Sequence, residues 1–424
     1  MHQVKKSIFA VIFLWSLSVF GQTRDEVFAN IYDLIDHQNF FKAREMYGTA
    51  GINLSPVHQK VVEAFLDNAF GRLTESNVKI SELIQNRFTL LPDSLQFDLY
   101  AIKYDNHKKL LEYREAQQAL TVILEKYGNN LSSTEIGDYQ NSLNLYAALE
   151  NQPKQRITIE GDTKLKIKKD KVGLKRLTVS FDGESFDFLF DTGANASVIS
   201  RSVAEKLNMN ILPVTIETAG SWGARTPAQV AICPEFHLGN IKIQNAVFLI
   251  IDDSKLSFSI RLFKYSIPGI IGYPVMKALK EVQITRDGYF IIPERESDFE
   301  SSNMAMYGLV PLLSIENNPY IFDTGASKTT FYRPYYLANR EEIESKYKLK
   351  TFKFFGVGGI TEQKGYQINA KIKISDRDII LKKVSVYREE GLFIKGAWGK
   401  IGQDLIDRHE TMTLNFNRMF IKFD

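Results

Sequence analysis

Two copies of one short motif hold the residues best suited to chemistry, Asp191-Thr192-Gly193-Ala194 and Asp323-Thr324-Gly325-Ala326. An apolar run precedes each: Phe186-Asp187-Phe188-Leu189-Phe190 and Pro319-Tyr320-Ile321-Phe322. Such runs predict strands, and the glycine two places after each Asp predicts a sharp turn. Each carboxylate is thereby presented at a fixed corner. Two carboxylates in contact cannot both ionise cheaply, because like charges raise one of the two pKa values. The pair then holds one proton and titrates as a unit. One member can take a proton from a water that attacks a carbonyl. The other polarises that carbonyl and later helps to protonate the leaving nitrogen. This chemistry needs no metal and no cofactor.

The flanking residues suit that task. Hydroxyls on Thr192 and Thr324 can bond to the opposite backbone and tie two loops together. Gly193 and Gly325 permit close backbone approach and can turn their N–H groups toward the carboxylates. Ala194 and Ala326 have no hydroxyl to donate to a carboxylate, so one means of lowering its pKa is missing. The expected optimum is therefore mildly acidic to neutral.

The elements that position these motifs recur. A strand and turn precede each copy: 177–181 with Asp182-Gly183, then 309–315 with Glu316-Asn317-Asn318. A glycine-rich hairpin tip follows each. The first contains Gly220, Ser221, Trp222 and Gly223, and the second Gly356, Val357, Gly358 and Gly359. These eight residues are candidate flap and substrate-binding positions, since a mobile hairpin can fold over a substrate and exclude water. Trp222 either walls a substrate pocket or packs at the hairpin base. Later, Ile270-Ile271-Gly272 is echoed by Lys400-Ile401-Gly402, and each half closes with a strand hairpin. Asp323 follows Asp191 by 132 residues, Gly356 follows Gly220 by 136, and Gly402 follows Gly272 by 130. Features recurring in one order at nearly one spacing indicate an internal duplication. The charged, serine-rich stretch 294–302 reads as the linker between the halves.

Ahead of the duplication the pattern is helical. Thr23-Arg24-Asp25-Glu26 resembles a capping box, and an amphipathic piece at 39–47 is expected to stop at Gly48. Ser55-Pro56 pairs an N-cap with an N1 proline. Further helices are expected at 75–87, 94–104, 115–126 and 134–150. Short helices joined by short loops are weakly similar to tetratricopeptide-type repeats. This part could serve as a platform for a protein partner, an inhibitory prosegment or a spacer.

The first 21 residues join Lys5 and Lys6 to an apolar stretch and small residues before Gln22, the pattern of a cleaved signal peptide. The 424-residue chain has one cysteine, Cys233, so it can form no internal disulfide. Export without disulfides suits a bacterial periplasm or cell surface. A net charge of +3, two units of it from Lys5 and Lys6, gives no argument for nucleic acid. The six histidines form no His-Glu-x-x-His pair, and there is no Gly-x-Ser-x-Gly elbow. The lysines at 164–171 read as a solvated strand edge.

With these motifs in view, residues 155–424 resemble an aspartic protease of the pepsin and retropepsin clan. The Asp-Thr-Gly-Ala form resembles retropepsins, while two halves in one chain resemble pepsin. The best match is a bacterial single-chain retropepsin-like protease. The resemblance implies an all-β bilobal acid-protease fold with pseudo-twofold symmetry behind a helical amino-terminal domain. The expected divisions are 1–21 (signal peptide), 22–150 (helical accessory domain), 151–299 (first lobe) and 300–424 (second lobe). It implies a catalytic dyad of Asp191 and Asp323 and an extended peptide or protein substrate beneath the flaps. The alternative is a peptide-binding protein of the same fold without catalysis.

Overall fold

A computed structural model describes residues 24–220, 225–260, 263–356, 359–374, 377–389 and 394–424. The expected signal peptide, Thr23 of the expected capping box, and the tip residues Ser221, Trp222, Gly223, Val357 and Gly358 lie outside the described residues.

The helical region contains α1 (Arg24–Asp36), α2 (Phe40–Ala50), α3 (Pro56–Ala69), α4 (Leu73–Asn86), α5 (Asp93–Lys109), α6 (Tyr113–Tyr127) and α7 (Ser133–Leu149). The Ser55 side chain accepts from the His58 N–H at the start of α3, with Pro56 in the first turn. Two expected ends move. Helix α2 runs through Gly48 to Ala50, because one exposed glycine costs only about 1 kcal/mol and packing outweighs it. Helix α5 continues past Tyr104 to Lys109. Its last turn is held by Asp105, which pairs with Lys108 and Lys109, each at 2.6 Å.

From residue 156 the chain is mostly strand. The strands Lys175–Phe181 and Glu184–Phe190 form an antiparallel hairpin, with Gly183 at φ 73° in its turn. In the second half, Val310–Ile315 and Asn318–Phe322 do the same, with Glu316 and Asn317 at φ 51° and 60°. Each motif strand then takes a parallel neighbour from far along the chain. Ile271 lies opposite Phe190 and Ile401 opposite Phe322. The two apolar-glycine segments are therefore sheet neighbours of the two motifs. The closing hairpins share one sheet, where Glu281–Thr285 pairs antiparallel with Thr411–Asn415 across the halves. Thr163–Lys166 forms an edge of that sheet and carries Lys164 and Lys166. Buried Glu281 ties down the linker by accepting from Ser297 N–H and Oγ and from Asn415 Nδ2.

Alternation along the motif strands separates two kinds of packing. Phe188, Phe190, Tyr320 and Phe322 point into a core made by the β region alone. Leu189 and Ile321 point the other way, toward helices. Leu189 shares a buried cluster with Tyr113, Leu120 and Leu149. Ile321 and Leu312 share another with Val27, Ile31 and Phe40. Polar contacts reinforce this docking. Lys42 Nζ donates to Asn318 Oδ1 at 3.0 Å, Arg44 Nη2 to the Ser302 carbonyl at 2.8 Å, and Lys277 Nζ to the Lys109 carbonyl at 2.7 Å. On α7, the Asn141 amide pairs with both backbone groups of Glu217, at 2.8 and 2.7 Å. Glu217 belongs to Asn210–Ala219, the edge strand of its sheet, so the helix covers an edge that would otherwise be open to pairing.

Leu312→Ala, at a fully buried point of the seam, should cost about 2–5 kcal/mol. Because helices and strands share that cluster, calorimetry should show one transition shifted downward for the whole chain. A helical region that melts early by itself would contradict a shared core.

Candidate active site

Each motif Asp stands where a strand ends beside its parallel neighbour. The Asp191 N–H donates to the Ile271 carbonyl at 3.2 Å, and the Asp323 N–H to the Ile401 carbonyl at 3.1 Å. The chain then turns back, with Ala194 N–H on the Asp191 carbonyl and Ala326 N–H on the Asp323 carbonyl. Gly193 N–H donates to Asp191 Oδ1 at 2.8 Å, and Gly325 N–H to Asp323 Oδ1 at 2.9 Å. Each glycine also faces the opposite carboxylate. A Cβ on Gly325 would lie 2.3 Å from Asp191 Cγ, and one on Gly193 would lie 3.0 Å from Asp323 Oδ1. Only glycine permits this approach at position 325, where the obstacle is a held carboxyl group.

The threonines exchange four hydrogen bonds. Thr192 Oγ1 donates to the Phe322 carbonyl and Thr324 Oγ1 to the Phe190 carbonyl, both at 2.7 Å. Each backbone N–H donates in turn to the other threonine's Oγ1 at 3.0 Å. Both threonines are buried, so the exchange takes place away from competing water. It brings together two loops 132 residues apart and sets the carboxyl groups of Asp191 and Asp323 within hydrogen-bond reach of each other.

Burial pushes the Asp191 carboxyl up to about 8, and the neighbouring Asp323 adds to it. The Gly193 N–H and the Lys400 ammonium pull in the opposite direction but do not prevail. One proton is therefore held on the pair across the neutral range. This cause adds to the missing hydroxyls at Ala194 and Ala326, where both side chains are alanine methyls.

Several supporting residues escaped the sequence reading. Ser197 Oγ accepts from Gly272 N–H at 3.1 Å, and Thr329 Oγ1 accepts from Gly402 N–H at 3.2 Å. A Cβ on Gly272 would lie 2.3 Å from the Ala196 carbonyl oxygen, so that segment also depends on a bare backbone. Gln403 Nε2 donates to the Thr324 carbonyl at 2.7 Å. Lys400 Nζ lies 3.0 Å from Asp323 Oδ2. A matching offset from each motif Asp could have pointed to Ser197 and Thr329, six residues downstream in both halves.

Of the candidate flap residues, Gly220 follows the strand Asn210–Ala219, whose hairpin partner begins at Arg225. Gly356 and Gly359 face each other at the end of the second hairpin. Cys233 is buried, and burial pushes its thiol up to about 12, as suits a small core side chain.

The model of the aspartyl protease family matches residues 177–275. That stretch contains Asp191 and Gly272 and ends before Asp323. Among solved structures, a retropepsin-like aspartic protease from Rickettsia conorii aligns at 14% identity. The alignment covers 33% of this chain and 92% of that one, with a TM-score of 0.22. No curated protein matches the chain.

Thr192→Val strands the Phe322 carbonyl and the Thr324 N–H. Each orphaned buried group costs about 1–3 kcal/mol, so the variant should unfold at clearly lower denaturant than wild type, with Thr192→Ser in between. The raised Asp191 carboxyl also has a stability signature. Its folded value of about 8 lies above that of an unfolded Asp, near 4. The folded form thus holds an extra proton between these values, and this group's contribution to stability falls as pH rises from about 4 to 8. Asp191→Asn removes that slope, so melting temperatures across this range should fall less steeply in the variant.

Proposed function

We propose that this protein is an aspartic-type endopeptidase that hydrolyses peptide bonds in an extended peptide or protein substrate, with Asp191 and Asp323 as its catalytic dyad. The observation that carries the reading is the reciprocal threonine exchange. It holds two half-buried carboxyl groups close together, where only one can readily ionise. The family match over residues 177–275 supports it for the first half.

The dyad acts with one proton. The ionised carboxylate accepts a proton from a water as the water oxygen bonds to the peptide carbonyl carbon. The protonated carboxyl donates to the carbonyl oxygen, giving a tetrahedral gem-diol. A proton then passes to the amide nitrogen and the C–N bond breaks. The products are a new carboxyl terminus and a new amino terminus. Pseudo-twofold related halves would present this dyad at the middle of a cleft, with the hairpins that lead to Gly220 and Gly356 as its candidate flaps. Export to a periplasm or cell surface completes the reading, on the strength of the amino-terminal segment.

The helical region is best read as a permanent accessory unit. Leu189 and Ile321 sit one strand alternation before Asp191 and Asp323, so the face they share with the helices is also the carboxyl face. Lys400, opposite Ile321 in the sheet, reaches Asp323 on that face. The helices therefore flank the cleft, and the buried clusters they share with both halves favour this role over that of a removable prosegment.

A peptide library digested by the full chain should give cleavage that disappears in both Asp191→Asn and Asp323→Asn. Activity should be lost on the alkaline side near pH 8, where Asp191 gives up its proton. Peptide binding without turnover at any pH would instead support the non-catalytic alternative. The active wild-type chain should retain the helical region. Shortening near residue 151 on activation, absent in Asp191→Asn, would restore the prosegment reading.

A further inference from the structure

The two apolar-glycine segments are equivalent except at one position. In the first half Ile270 lies opposite Leu189, and in the second Lys400 lies opposite Ile321. Ile270 is buried in an apolar cluster. Its counterpart instead sends an ammonium toward the dyad, 3.0 Å from Asp323 Oδ2. The other oxygen of that carboxylate, Oδ1, is taken by the Gly325 N–H. Among the described residues, this pair thus has a cation against Asp323 and an apolar side chain at the matching place of the other half.

We propose that Lys400 is a positioning residue of the dyad: its ammonium keeps Asp323 as the ionised partner and leaves the shared proton on Asp191. This rests on the endopeptidase reading. It deepens that reading by assigning the two roles that symmetry would leave interchangeable. Asp323 becomes the base that takes the proton from water, and Asp191 the acid that donates to the carbonyl oxygen.

The surroundings of Lys400 support the assignment. Burial alone would pull its pKa down, but the Asp323 carboxylate outweighs this and holds the ammonium above the ordinary lysine range. Among the described residues, Asp323, Tyr332 and Asp191 are the titratable groups that act on it most. The strand on its other side presents Thr330, which is uncharged. Tyr332 stays neutral, since burial pushes its hydroxyl up to about 12 against the pull of Lys400. Lys400 therefore remains charged wherever the dyad titrates. The two carboxyls also differ in this respect: Lys400 bonds to Asp323, whereas it acts on Asp191 only through the field.

The test uses the full chain with Lys400→Met, Lys400→Gln and Lys400→Arg. The first readout is the pH–rate profile for a cleaved peptide. The second is the carbon-13 titration of the aspartate carboxyls, assigned with Asp191→Asn and Asp323→Asn. In wild type near pH 6, Asp191 should read as protonated and Asp323 as ionised. Loss of a nearby cation makes the dyad harder to ionise, so in Lys400→Met both limbs of the profile and the Asp191 midpoint should move up by roughly one pH unit or more. Lys400→Arg should keep the wild-type limbs, and Lys400→Gln should follow Met if Met does not fold. Unmoved limbs and midpoints in a folded neutral variant overturn the proposal, as does a proton found on Asp323. If wild type cleaves nothing at any pH, the endopeptidase reading fails, while the carboxyl titration still decides what Lys400 does.

Discussion

Two carboxyls that would repel each other when ionised are held together at a half-buried place, and the structure is arranged to keep them there. Left to themselves, they would separate or admit water. The opposing force is the hydrogen-bond exchange between Thr192 and Thr324, which satisfies two carbonyls and two N–H groups that the approach of the loops would otherwise strand. Satisfying all four groups at once explains why the loops approach as a unit. The glycines beside the threonines give the space for that approach, and their N–H groups are directed at the carboxylates.

The parallel strands at Gly269–Ile271 and Gly399–Ile401 support the same arrangement. Each places a carbonyl where the N–H of a motif Asp needs an acceptor. Each also leads into a glycine whose N–H is taken by a hydroxyl on the turn, Ser197 or Thr329. The carboxyls therefore sit on backbone that is bonded on every side. Such rigidity is what a preorganised site requires, since geometry then need not be assembled as the reaction proceeds.

On this frame the halves are not equal. Lys400 stands where Ile270 stands in the other half, and different helices pack on Leu189 and on Ile321. The two motif strands thus share one pattern of pairing, on which single residues and the helical region act differently at each motif. Lys400 beside Asp323 is the clearest such difference, because in a partly desolvated site a nearby charge outweighs many apolar contacts in its electrostatic effect.

Local chemistry was legible in the chain itself. Strand, turn and glycine around Asp191 and Asp323 follow from alternation and turn residues, and Ser55-Pro56 marks a helix start through its own side chains. The repeated order of motifs was legible too, because it needs no coordinates. Helix ends at Gly48 and Tyr104 were misplaced, since tertiary packing and the Asp105–Lys108–Lys109 pairing outweigh single-residue preference. The tertiary structure alone decided which distant segments meet. That Ile271 runs beside Phe190, that Glu281–Thr285 pairs with Thr411–Asn415, and that Lys400 reaches Asp323 all depend on contacts between residues far apart in the chain. No local propensity encodes these partners. They are selected by which burial and hydrogen bonding satisfies the whole chain together.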